Sequence, residues 1–184
     1  TIYSLNDAPG FSAGVNQTIL EDAGIQTVIG WATGMNTGAA DESAQILTFI
    51  VTNDNNALFS QQPAIDATSG TLTYTPVADA NGLAIVTVTL SDNGGTLNGG
   101  SDTSAPQAFT INITAINDQP SFTKGTDQII TEDASIQSIS GWATNIATGP
   151  ANESAQNITG FNVTNDNNAL FSIQPAVLSN GTLT

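Results

Sequence analysis

Along its best-patterned stretch the chain alternates with a period of two: Ile85, Val86, Val88 and Leu90 interleave with Thr87, Thr89 and Ser91, and Phe109, Ile111 and Ile113 with Thr110, Asn112 and Thr114. Successive side chains of a strand point to opposite faces, so this pattern predicts strands with one buried face. No stretch holds a helical period for three turns. Gly, Pro, Asn and Asp punctuate the first 116 residues into seven predicted strands, near 10–20, 24–31, 45–53, 57–66, 71–76, 84–91 and 106–116. Seven short antiparallel strands in about 110 residues predict an all-β Greek-key β-sandwich. Trp31, Phe49, Phe59, Tyr74 and Phe109 are its expected core aromatics.

The pattern recurs. TNDNNALFS is read at Thr52–Ser60 and again, unchanged, at Thr164–Ser172; LEDAGIQTVIGWAT at Leu20 faces TEDASIQSISGWAT at Thr131, and NDAPGF at Asn6 faces NDQPSF at Asn117. The offset is 111 residues between Trp31 and Trp142 and 112 between Phe59 and Phe171, after a one-residue insertion between Asn157 and Phe161. A fixed period marks tandem structural units. The expected division is residues 1–5 as the tail of a preceding repeat, 6–116 as repeat 1 and 117–184 as repeat 2, which stops at the match to Thr73. The segment is therefore expected to be a window on a longer array, with any targeting or anchoring signal outside it.

Composition narrows the chemistry. The 184 residues carry 16 Asp plus Glu against a single cation, Lys124, with no His and no Cys, for a net charge of -15. Such a charge repels nucleic-acid phosphate and anionic lipid. Imidazole bases, thiolate nucleophiles and zinc ligands of either kind are missing. The most apolar run, Ile46–Val51, falls far short of the roughly 20 residues a membrane helix needs. A 39% hydrophobic fraction marks a chain that folds. A large Thr/Asn/Gly-rich chain without cysteine fits the repetitive proteins that bacteria export, so the expected location is extracellular.

Counting strand directions places the acidic residues. With seven strands running alternately up and down, the loops after strands one, three and five share the trailing end, and those after two, four and six share the leading end. The trailing pole then holds Glu21, Asp22, Asp54, Asp79, Asn81 and the linker pair Asn117–Asp118. The leading pole holds Asn6, Asp7, Asp41, Glu42, Asp92, Asn93 and Asp102. Among all 16 acidic residues only Asp66 and Asp127 fall in predicted strands. Carboxylates gathered without protein cations repel one another unless a bound cation takes the missing partner's place. Ca²⁺ is the expected cofactor, because it accepts 6 to 8 oxygen ligands from carboxylates, Asn side chains and carbonyls, whereas Mg²⁺ keeps its waters. Tight turns account for the NDNN loops at Asn53 and Asn165 without metal.

In its motifs and their order the chain resembles the cadherin-like repeats, tandem-95 type, of giant bacterial surface adhesins. The residues that carry the likeness are the NDAP and NDQP linkers, the ED pairs at Glu21 and Glu132, the DE and NE pairs at Asp41 and Asn152, YTPVADANG from Tyr74 and SDNGG from Ser91. The resemblance implies calcium at the junction between consecutive domains, held by Glu21, Asp79, Asn117, Asp118 and Glu153 of the next repeat. Asn81 and Asn152 stand where such repeats often have Asp, which implies fewer or weaker ions. It also implies a non-enzymatic stalk whose partners are the adjacent repeats of the same chain, supporting attachment or biofilm cohesion.

Two other classes stay open: a polysaccharide-binding module, which needs an exposed platform from Tyr3, Trp31 or Trp142, and a filament subunit completed by a strand from a like chain. A glycosidase pair from Glu21–Asp22 and Asp41–Glu42 is not expected, since the two pairs belong to opposite poles. Gly94–Asp102 is one broken glycine-rich copy, and no EF-hand loop is present.

Overall fold

The computed structural model describes residues 4–184, so Thr1–Tyr3 of the predicted tail, Tyr3 of the aromatic platform included, lie outside the described residues. The chain is all-β, its only helical elements being short 3-10 turns among the described residues. It divides into two compact units, the first ending at Ile116 and the second beginning at Asn117.

The first unit contains β1 (Gly10–Ser12), β2 (Gln17–Leu20), β3 (Gln26–Val28), β4 (Thr33–Asn36), β5 (Thr48–Asn53), β6 (Phe59–Ile65), β7 (Leu72–Pro76), β8 (Gly82–Ser91) and β9 (Gln107–Thr114). One sheet has the order β2-β9-β8-β5, a second β3-β7-β6, and β1 pairs with β4 in a ribbon. Alternation decides what each strand buries. Ala84, Val86, Val88 and Leu90 of β8 and Phe109, Ile111 and Ile113 of β9 are buried, while the threonines between them are partly open to water. Most of those residues meet Phe59, Ile65, Leu72 and Tyr74 of the other sheet, with Trp31, in one core. Each large side chain there contributes on the order of 2 kcal/mol by leaving water. Phe49 is only partly buried, edge-on to Phe11 at 5.1 Å.

Three strand expectations are corrected. The predicted strand 10–20 is broken in two, because Gly14 passes beneath the Trp31 indole, where a Cβ would lie 2.7 Å from Cδ1, and the indole N–H donates to the Val15 carbonyl at 3.0 Å. The second half, β2, then runs parallel to β9, with Gln17 opposite Ile111 and Leu20 opposite Thr114, so the strands are not all antiparallel. Asp66 and Asp127 lie outside strands: Asp66 opens the turn after β6, and Asp127 sits in a loop.

Tyr74 is wholly buried, set edge-on against Phe59 at 6.0 Å, and its hydroxyl has no hydrogen-bond partner. Burial pushes the phenol's pKa up from 10.0. An unsatisfied buried hydroxyl costs free energy that a phenyl ring does not. Tyr74→Phe is therefore expected to stabilise the first unit by about 1 kcal/mol in urea denaturation, and a loss of similar size would mean that the hydroxyl is bonded in solution.

The second unit repeats several local contacts. β10 (Ser121–Thr123) pairs with β11 (Thr144–Ala147) as β1 does with β4. Gly125 lies under Trp142, whose indole N–H donates to the Thr126 carbonyl at 3.0 Å, and Phe122 meets Phe161 edge-on at 5.0 Å.

Candidate metal centre

At the trailing pole of the first unit, β2 ends in the Glu21–Asp22 turn. Parallel pairing with β9 carries the Glu21 backbone N–H to the Thr114 carbonyl at 3.1 Å, and the buried Glu21 side chain accepts the Ile116 N–H through Oε1 at 3.0 Å. Glu21 thus grips the chain where it leaves the unit, 95 residues further on. Asp22 is exposed beside it and accepts the backbone N–H of Asp79 at 3.3 Å. Asp79 has φ of +58°, a conformation that costs a non-glycine residue free energy and turns the loop before β8 toward Asp22. One carboxylate oxygen from each lies within 4.8 Å of the other. Asn81 is exposed at the end of the same loop, and Asp54 is engaged elsewhere, accepting the Ile85 N–H at 2.8 Å. The first unit has no Lys, Arg or His; Lys124, in the second unit, is paired with Asp127 at 2.7 Å and holds that carboxyl below its ordinary 3.8.

The leading pole of the first unit is more tightly built. Asn6 donates from Nδ2 to Asp92 Oδ1 at 3.0 Å and to the Ser101 carbonyl at 2.7 Å, and accepts from Gln45 Nε2 at 2.7 Å. The Asp7 N–H donates to Glu42 Oε1 at 2.9 Å. Asp41 is exposed and accepts the Ser4 hydroxyl at 3.2 Å, and Asn93 accepts the Ile46 N–H at 2.8 Å. Asp92 is 8% exposed; its Oδ2 has no hydrogen-bond donor, and neither has the buried Gln45 Oε1. A buried carboxylate oxygen without a donor is costly unless a cation faces it. Ser4, Asn6, Asp41, Glu42, Gln45 and Asn93 line an open pocket at this pole.

The same device stands at the head of the second unit. Asn117 donates from Nδ2 to the Asp118 carbonyl at 2.9 Å, and the Asp118 N–H donates to Glu153 Oε1 at 2.7 Å. Glu153 is 5% exposed and its Oε2 has no donor. Asn152 precedes it in the 3-10 turn Ala151–Glu153.

The structure therefore gathers Glu21, Asp22 and Asp79 at one pole of the first unit, and Asn6, Asp7, Asp41, Glu42 and Asp92 at the other; Asn117, Asp118 and Glu153 cluster in the second. Sequence reasoning missed Gln45 and Ser101, neutral residues whose part appears only when their loops meet Asn6. It missed Pro150 as well, although its place opposite Ala39 in the repeat was legible.

No model of a known protein family matches the chain, and no curated protein matches it. Among the described residues no helix is long and apolar enough to cross a membrane.

Proposed function

We propose that the chain is a non-enzymatic structural segment of a long extracellular adhesin, built of cadherin-like Greek-key sandwiches and stiffened by calcium at the junction between repeats. The observation that carries this reading is the Asp22–Asp79 pair, two exposed carboxylates with oxygens within 4.8 Å in a unit that has no cationic side chain, Asp79 standing on a backbone bent into positive φ. Oxygen-only donors of this kind suit Ca²⁺. Asn117 and Asp118 follow Ile116 directly, so Asp118 lies by chain length alone within about 8 Å of the Ile116 Cα. In this reading Asp118 supplies the third carboxylate, with Glu21 anchoring the exit and Asn81 at the margin. The buried Asp92 Oδ2 and Glu153 Oε2, each without a hydrogen-bond donor, support a cation-binding role for the leading poles in the same reading.

The physical effect is linkage. A cation that binds only the assembled ligand set stabilises that set by its binding free energy, and a flexible joint becomes a restricted one. Thermal unfolding of the 184-residue chain is expected to occur about 10 °C higher in millimolar calcium than in excess chelator, with small-angle scattering reporting a longer, narrower particle. Coincident melting curves and scattering profiles would overturn the proposal.

The burial of Trp31, 4% exposed, weighs against an aromatic glycan platform.

A further inference from the structure

The glutamates of the two leading poles differ in one bond. In the first unit both oxygens of Glu42 are committed to backbone donors, Oε1 to the Asp7 N–H at 2.9 Å and Oε2 to the Ala39 N–H at 3.3 Å. In the second unit Glu153 keeps the first of these, from the Asp118 N–H at 2.7 Å, but the residue opposite Ala39 is Pro150, which has no N–H. Glu153 Oε2 is left buried without a donor, lying over Gly149 where a Cβ would come within 1.9 Å of it. Both 3-10 turns otherwise begin alike, from an extended residue at their N-terminus.

We propose that Pro150 releases Glu153 Oε2 as a ligand for a divalent, oxygen-preferring cation, so that the leading pole of the second repeat binds such an ion more tightly than that of the first. This rests on the calcium reading above and adds what that reading lacks: repeats that share ligands are graded in affinity by a neighbouring residue that touches no metal. In the first repeat an incoming ion must break the Ala39 bond to use Glu42 Oε2. In the second, the oxygen is already desolvated and has no competing donor. Gly149 serves the same end, since any side chain there would occupy the place of the oxygen.

The test is calcium titration calorimetry on the full chain, comparing the unmodified protein with Pro150→Ala, Glu153→Gln and the reciprocal Ala39→Pro. Pro150→Ala restores an N–H and is expected to weaken one class of site about tenfold, the worth of a hydrogen bond to a charged acceptor. Glu153→Gln should abolish that class, and Ala39→Pro should strengthen a different one. Without metal, the backbone amide gained in Pro150→Ala should exchange slowly with solvent. Unaltered binding in Pro150→Ala, with calcium bound by the unmodified chain, would overturn the inference and leave the calcium reading standing. Absence of calcium binding in the unmodified chain would overturn both. The fluorescence of Trp31, for Ala39→Pro, and of Trp142, for the other two, checks that each variant keeps its fold.

Discussion

Glu21→Ala is expected to destabilise the first unit by about 3 kcal/mol in chelator-treated urea denaturation followed by Trp31 fluorescence. The Glu21 side chain is fully buried and accepts the Ile116 N–H at 3.0 Å. Truncation leaves that donor without its acceptor and opens a void where a carboxylate stood, and the two costs add. Glu21→Gln keeps a carbonyl oxygen of similar size for the same N–H, so in chelator it should lose about 1 kcal/mol or less. In calcium the two readouts part. The Gln variant lacks a charge near the Asp22–Asp79 pair and is expected to lose most of the calcium-dependent rise in melting temperature. A Gln variant that keeps the full rise would confine Glu21 to a structural role, and an Ala variant as stable as the unmodified chain would remove even that.

The second large effect is expected from Gly70→Ala, at about 3 to 5 kcal/mol. Gly70 has φ of +68°, a conformation a side chain pays for by crowding its own carbonyl. A Cβ at Gly70 would also meet the Ala32 carbonyl oxygen at 1.9 Å, and that obstacle is backbone, held in place by the Ala32 N–H to Gly70 carbonyl bond at 2.9 Å. The turn has little room to yield. Asp66 accepts the Ser69 and Thr68 N–H groups and the Ser69 hydroxyl, with the Ser69 N–H foremost in holding its carboxyl below the ordinary 3.8. Gly24→Ala is the control: φ there is +66°, but nothing lies within 4 Å of the added carbon, so only the conformational cost of about 1 kcal/mol applies. Equal losses in the two variants would mean that the close approach to Ala32 contributes nothing. Gly181 stands in the same relation to the Ala143 carbonyl, at 2.1 Å, which makes this joint a property of the repeat.

How much was legible beforehand differs from element to element. β8 and β9 could be read directly, because Val86, Val88, Leu90 and Phe109, Ile111, Ile113 alternate with Thr and Asn, and a strand with one wet face must alternate. The repeat and its division near residue 116 followed from identical residues at a fixed offset. The sorting of acidic residues into two groups required only strand directions, which loop lengths and alternation supply.

Other features had no local signature. The break of the first strand depends on Gly14 meeting the Trp31 indole, 17 residues on, and the parallel register of β2 with β9 depends on contacts about 95 residues apart. That register alone puts Glu21 beside Ile116. β4, Thr-Gly-Met-Asn, carries no apolar alternation because it pairs with β1 outside the main sheets. Likewise Asp22 and Asp79 come together through a residue in positive φ, which no spacing in the chain reveals.

By itself, then, the sequence determined the period-two strands, the tandem repeat, the absence of imidazole, thiol and all but one cationic group, and the chemistry open to the loops, because these depend on residue type and local order. Tertiary structure alone decided which carboxylates meet, which are buried, and which oxygens are left without a donor. Those outcomes depend on backbone groups brought in by the fold: an N–H at Ile116 or Ala39 that occupies an oxygen, or a proline at position 150 that leaves one open.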